Sequence, residues 1–374
     1  MNIYVTGAAT TKFGELWGVS PRTLARQAAF GALKDASVEA ERVEALFVGN
    51  MLSGMLGGQE HLGAFFAEEL GLSIPAFKIE GACASGGLAV HNAAFSVLSG
   101  QYETVLVLGI EKMTDHKPED VATALMGAGS EEERSAGATF PGLYALLARV
   151  YMKEYGTTQE QLAAVAVKNH YHASLNPNAQ FCNPITVEQV MKSSKIADPL
   201  KLLDCSPISD GAAAIVISKK KKGNSVQIMA SAVATDTLGL AQRKSMTELK
   251  ATQEAAKKAY EQAKISPRDV HLAEVHDCFT IAEILAMEDL GFYKKGSAAG
   301  AVGKKNHLVI NPSGGLKGCG HPVGATGVKQ IAELVEQLRG NAGARQVKGA
   351  KIGLAQNVGG SGATAVVHIL CKVR

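Results

Sequence analysis

Paired cysteines are missing from this chain. Its six cysteines, at positions 83, 182, 205, 278, 319 and 371, are scattered through 374 residues, and their spacing matches neither a zinc knuckle nor a disulfide framework. A reducing cytoplasm is the expected location. Excess charge is missing too. With 38 basic and 35 acidic residues the formal net charge is only +3, which argues against a nucleic-acid or polyanion partner, whose binding surface needs clustered charge. The one basic run, Lys219 to Lys222, reads as a solvated linker. No apolar run reaches bilayer length and no basic stretch leads into an apolar core at the N-terminus, so neither a membrane span nor a leader is expected. Lys372-Val373-Arg374 is not a peroxisomal address. What is left is an enzyme-sized chain long enough for two packed domains with ample core.

What is present centres on Glu80-Gly81-Ala82-Cys83-Ala84-Ser85-Gly86-Gly87, a join between a predicted strand (Ala76 to Glu80) and a predicted helix. A thiol at a helix start faces free N–H groups and the positive end of the helix dipole, which favour its thiolate. Gly81, Gly86 and Gly87 leave room for a thioester. Leu88, Ala89, Asn92, Phe95 and Leu98 form the stripe expected to bury that helix against a sheet. An inert, buried thiol in a small-residue turn fits this stretch equally well.

Strand and helix signals alternate from Asn2 onward: a strand to Gly7, a helix capped by Ser20-Pro21, a strand from Ala45 to Gly49, and an apolar strand from Thr104 to Gly109. From about residue 115 to 205 the alternation breaks into an inserted subdomain of loops and helices, including Leu143 to Tyr155 and Gln159 to His172. After the lysine run the pattern restarts. Val226 to Ala230, Thr247 to Ala263 and Leu272 to Val275 repeat the first strand, helix and strand. Gly320-His321-Pro322 then opens a helix leading to the strand Lys351 to Ala355, as Cys83 does in the first half. The chain therefore reads as a duplicated α/β unit with Cys83 and His321 at equivalent helix mouths facing one crevice.

Three further segments end near that crevice. His276-Asp277-Cys278-Phe279 carries an imidazole and a second thiol, Gly318 to Pro322 carries His321, and Gln356 to Gly362 is expected to be a glycine-rich loop aiming N–H groups at an anion. Together they supply a nucleophile, bases and oxyanion donors, the requirements of acyl transfer through a thioester. A metal reading of His276, Cys278, Cys319 and His321 is weighed against this and set aside, because the spacings match no usual ligand knuckle.

The blocks Cys83-Ala84-Ser85-Gly86-Gly87, Gly320-His321-Pro322 and His276-Asp277-Cys278-Phe279 resemble the three signature blocks of the thiolases, and the resemblance spans essentially the whole chain. The His-Asp-Cys-Phe form is similar to sterol-carrier-protein-type and archaeal members. Bacterial biosynthetic thiolases have Asn-Glu-Ala-Phe there, and a second catalytic cysteine where this chain has Asn357. The resemblance implies an α/β thiolase fold with duplicated halves (1–220 and 221–374) in a layered αβαβα arrangement. It makes Cys83 the nucleophile and His321 its base, with oxyanion donors in the backbone of Cys83 and Gly359. Cys278 becomes the second acid/base, His276 and His321 hold an enolate, and Ser206 touches coenzyme A. No permanently bound cofactor or metal is implied, since coenzyme A is a substrate. The family also implies a homodimer or homotetramer. Archaeal members further imply an OB-fold, zinc-containing accessory protein and a hydroxymethylglutaryl-CoA synthase as partners. Thr11 to Trp17 and Gly58 to His61 look archaeal as well, and point to acetoacetyl-CoA. A larger or aromatic 3-oxoacyl-CoA, a retro-aldolase of the same fold and a non-catalytic acyl-CoA or lipid carrier are the rivals. The intact Cys83, His276, Cys278 and His321 count against the last two.

Overall fold

The structure, a computed structural model, describes residues 1–304 and 308–373, so Arg374 lies outside the described residues. The first five strands of the main sheet are β1 (Tyr4–Thr10), β2 (Ala45–Gly49), β3 (Ala76–Ile79), β4 (Thr104–Glu111) and β5 (Gly211–Ser218). The next five are β6 (Val226–Thr235), β7 (Leu272–Glu274), β8 (Val309–Ile310), β9 (Ile352–Gly359) and β10 (Thr364–Lys372). Among the described residues they form one ten-stranded sheet in the order β8-β7-β9-β10-β6-β1-β5-β4-β2-β3. Read outward from the β1/β6 seam, both sets of five follow the same path: first strand, fifth, fourth, second, third. The seam itself is slight, with Tyr4 opposite Gln227 and Val5 opposite Val226.

Four helices make the layers: α1 (Pro21–Ala36), α2 (Ser85–Leu98), α3 (Lys250–Ala263) and α4 (Val323–Arg339). Ser20 caps α1 by accepting from the Thr23 N–H, with Pro21 in the first turn, an arrangement that contributes about 1 kcal/mol. Period-two alternation along β2 and β4 sends residues to both faces, as expected of strands covered on both sides. Leu46, Val48, Leu106 and Leu108 pack on α1, while Ala45, Phe47, Val105 and Val107 pack on α2 and α4. Those two helices also touch Ile228, Ala355 and Leu370 from the second set of strands, so they form the middle layer. Helix α3 covers the far side. The order is helix, sheet, helix, sheet, helix.

The middle layer is where the sequence-based picture needs correction. The buried face of α2 is Gly86, Gly87, Ala89, Val90, Ala93, Ala94 and Val97, not the stripe of larger residues, and Phe95 is 42% exposed. Small residues face inward because α4 crosses within backbone contact. A Cβ on Gly86 would lie 2.6 Å from the Gly324 carbonyl oxygen and 2.9 Å from the Gly327 nitrogen. Gly86 and Gly87 therefore make room for protein rather than for a thioester. Glycine on both helices lets their mouths meet, which brings Cys83 to His321. Gln356 to Gly359 also departs from expectation. They are the end of β9, paired residue by residue with β10, and only the turn beyond them is loop. The stretch between β4 and β5 forms helices Phe140–Tyr155 and Gln159–Ser174 and a small hairpin, Lys195–Ala197 with Leu200–Lys201. No helix among the described residues is long and apolar enough to cross a membrane.

Candidate active site

Cys83 does not sit in the first turn of a helix. Helix α2 starts at Ser85, and Cys83 follows Ala82, whose φ of 53° is left-handed, a conformation costing a non-glycine residue about 1–2 kcal/mol. Ser85 holds this turn by donating to the Ala82 carbonyl at 2.6 Å and accepting from the Gly81 N–H at 3.0 Å. The bend carries Cys83 into a cavity of about 180 Å³ lined also by His276, Cys278, His321, Cys205, Ser206, Tyr144, Phe140 and Phe279. All four residues expected to carry chemistry meet there, together with Ser206. Cys319 does not. It is buried elsewhere, accepting from Asn176 Nδ2 at 3.6 Å.

Each partner is held from behind. His321 takes Ser209 Oγ on its backbone N–H at 2.9 Å, and its Nδ1 lies 2.7 Å from Thr326 Oγ1. The Thr326 hydroxyl proton goes to the Pro322 carbonyl at 3.1 Å, so Nδ1–H donates to Thr326 and the lone pair of Nε2 is left for the cavity. The His276 and His321 rings meet edge to face with centroids 5.0 Å apart. Cys83 Sγ and one nitrogen of each ring all lie within 4.8 Å of one another. Asp277 plays no part in the cavity. Its carboxylate accepts from the N–H groups of Leu316 (2.7 Å) and Lys317 (3.2 Å) and from Asn169 Nδ2 (2.6 Å), pinning the His276–Cys278 loop to the segment that precedes His321. Glu111 braces the opposite side. It accepts from Asn50 Nδ2, the Met51 and Leu52 N–H groups, and the Gly324 N–H at the mouth of α4. Ser206 donates its backbone N–H to the Cys278 carbonyl at 2.9 Å.

Gly359 stands behind the site. Its α-carbon leaves no room, since a Cβ would lie 2.5 Å from the Gly81 carbonyl oxygen. Gly360 lines the cavity, and the N–H groups of Gly360 and of Cys83 itself turn toward the sulfur. Sequence reasoning missed Thr326 and Cys205, and within the glycine-rich segment it singled out Gly359 where Gly360 lines the cavity. Glycine runs and small polar residues in a motif signal a tight backbone without saying which atom faces the ligand.

The electrostatics reverse the expected thiolate. Cys83 is partly exposed, but only to the narrow cavity. Burial dominates, pushing its thiol up to about 12, against smaller opposing help from the Gly360 N–H. Burial likewise pushes His321 down to about 3, lowers His276 and raises Cys278. Removal from water disfavours each charged form. The resting site is a set of neutral thiols and imidazoles, and a charge separates only when a substrate supplies the carbonyl to receive it. A raised thiol pKa means a small thiolate fraction that grows with pH. Alkylation of Cys83 by iodoacetamide, followed by mass spectrometry, is therefore expected to rise about tenfold per pH unit through the neutral range. A plateau already reached at pH 6 would instead signal a stable ion pair with His321.

Two family models and several known proteins match this chain. Residues 3–221 match the model for the thiolase N-terminal domain, and residues 232–372 match the thiolase C-terminal domain-like model. An acetyl-CoA acetyltransferase from Methanothermobacter thermautotrophicus is 49% identical over 383 residues, covering 99% of this chain and all of that protein. The benzoylsuccinyl-CoA thiolase subunit BbsB of Thauera aromatica is 37% identical over 360 residues, covering 92% of this chain and 91% of that one. Among solved structures, the Ltp2-ChsH2(DUF35) aldolase superposes with a TM-score of 0.85 at 26% identity, over 100% of this chain and 98% of that chain.

Proposed function

This chain belongs to the thiolase family, and we propose that it is an acetyl-CoA acetyltransferase, interconverting two acetyl-CoA with acetoacetyl-CoA and free coenzyme A. The observation that carries this reading is the convergence of Cys83, His321, Cys278 and His276 on one cavity. His321 takes the thiol proton as Cys83 sulfur bonds to the acetyl carbonyl carbon. The N–H groups of Cys83 and of Gly360, just past Gly359, hold the oxyanion, and each such donor is worth about 10²–10³ in rate. The C–S bond to coenzyme A breaks, and Cys278 gives its proton to the departing sulfur. Now a thiolate, Cys278 removes an α-proton from a second acetyl-CoA, and the resulting enolate oxygen is held by His276. The enolate carbon attacks acetyl-Cys83, and His321 returns its proton to the Cys83 sulfur. Thiolysis runs these steps backwards.

A short acyl chain is favoured because Met113, Leu125, Phe140, Tyr144, Phe279 and Val323 close around the thiol in only about 180 Å³. The second reading, a larger or aromatic 3-oxoacyl-CoA handled with an accessory subunit, draws on the names of the Thauera and Ltp2 relatives. A homodimer is proposed through edge strand β3, whose Phe77 is 41% exposed. Purified protein should cleave acetoacetyl-CoA only when coenzyme A is added, followed by loss of the acetoacetyl-CoA absorbance. Turnover of a benzoyl-type substrate with none of acetoacetyl-CoA would reverse the choice between the two readings.

A further inference from the structure

The two imidazoles of the site are asked to do opposite things, one to accept a proton and the other to donate to an enolate oxygen. A neutral imidazole has one N–H, so each job needs its own tautomer. What sets the tautomer of His276 is visible behind it.

Asn357 is 1% exposed near the end of β9, opposite Val366. Its Oδ1 accepts from the Gly87 backbone N–H at 3.0 Å. Its Nδ2 donates to the Cys83 carbonyl at 3.0 Å and lies 3.1 Å from His276 Nδ1. The orientation of this amide is not free. Turned over, it would set an NH₂ against the Gly87 N–H and an oxygen against the Cys83 carbonyl, two like-with-like contacts in a buried site. The amide therefore presents an N–H to His276 Nδ1, which must accept it, and the ring proton is left on Nε2. His321, donating from Nδ1 to Thr326, has its ring proton on the other atom.

We infer that Asn357 is a positioning residue that fixes His276 as an Nε2–H donor to the enolate oxygen, while joining that ring to the Cys83 carbonyl and the first turn of α2. The inference rests on the acyl-transfer reading. It also disposes of the metal reading suggested by the close approach of Cys83, His276 and His321, because His276 turns a hydrogen rather than a lone pair toward the others. Space for the amide is made by glycine, since a Cβ on Gly87 would lie 2.9 Å from Asn357 Oδ1.

The direct test is nitrogen NMR of protein labelled in the histidine rings, with the His276 signals identified by their loss in His276→Asn. Wild type is expected to carry the His276 proton on Nε2. Finding it on Nδ1 overturns the inference whatever the enzyme's activity, whereas failure to cleave acetoacetyl-CoA with the proton on Nε2 would count only against the functional reading. The kinetic test is Asn357→Asp, which retains an acceptor for Gly87 but can only accept from His276. It should move the ring proton to Nδ1 and lower kcat by about 10²–10³, the cost of one oxyanion donor. In a His276→Asn background the donor is an amide with no tautomer to choose, so the same Asn357→Asp change should cost at least tenfold less. Equal losses in the two backgrounds would show that Asn357 serves the backbone alone, and would overturn the inference.

Discussion

Cys83→Ala is expected to abolish coenzyme A-dependent cleavage of acetoacetyl-CoA, with a loss on the order of 10⁴–10⁶ in kcat, the scale seen when a covalent nucleophile is removed. The thiol is the atom to which the acyl group is transferred, and nothing nearby can take its place. Cys278 opens into the same cavity from beyond the end of β7, and its proton transfers, to departing coenzyme A and from the α-carbon, need an acyl group held on another atom. The fold should be indifferent to the change. The turn is held by Ser85, and α2 is buried through its glycine and alanine face rather than through the cysteine. Incubation with acetyl-CoA followed by mass spectrometry should show an acetyl adduct on wild type and none on Cys83→Ala. Cleavage that survives the substitution would rule out an acyl-enzyme.

Cys278→Ala should divide the reaction instead of erasing it. Removing a positioned acid/base typically costs about 10²–10⁴, and here the cost should fall on proton transfer at the α-carbon. Acetyl-Cys83 should still form, if more slowly, and accumulate, because His321 and the backbone donors drive the attack and the departing coenzyme A thiolate can take its proton from water. Exchange of the acetyl-CoA methyl protons with deuterated water, and condensation to acetoacetyl-CoA, should both collapse. The immediate surroundings should survive: the Cys278 carbonyl still accepts from the Ser206 N–H, and Phe279 still stacks on Tyr144 with centroids 4.6 Å apart. Undiminished exchange in Cys278→Ala would pass the α-proton to another base, with His276 or His321 next in line.

Several features of the fold are local and could be read directly. Ser20-Pro21 caps α1, and Thr158 with Gln161 forms a capping box at the helix Gln159–Ser174. These signals work because the groups that satisfy each other are three residues apart. The helix Thr280–Asp289 gave no such signal. All ten of its residues are buried, so it shows no amphipathic stripe, and its acids look solvent-facing in the sequence. They are paired inside the protein: Glu283 with Lys168, Glu288 with Tyr151, and Asp289 with Lys295. The face of α2 was misread for a related reason. Periodicity measures where bulky apolar residues lie, but this helix meets another helix closely enough that only small residues fit.

The sequence by itself determined which chemical groups are available and that the chain is built twice on one α/β pattern. Cys83, His321, Cys278 and His276 each stand beside glycines or at a strand end, and the repeat places their segments at equivalent points. Tertiary structure alone decided what those groups are. Burial makes the thiols and imidazoles neutral at rest. The crossing of α2 on α4 sets Cys83 against His321. An amide on β9, 274 positions away from the Cys83 carbonyl it binds, sets the proton of His276. Charge state and tautomer depend on desolvation and on hydrogen bonds between distant segments, and neither exists until the chain has closed around them.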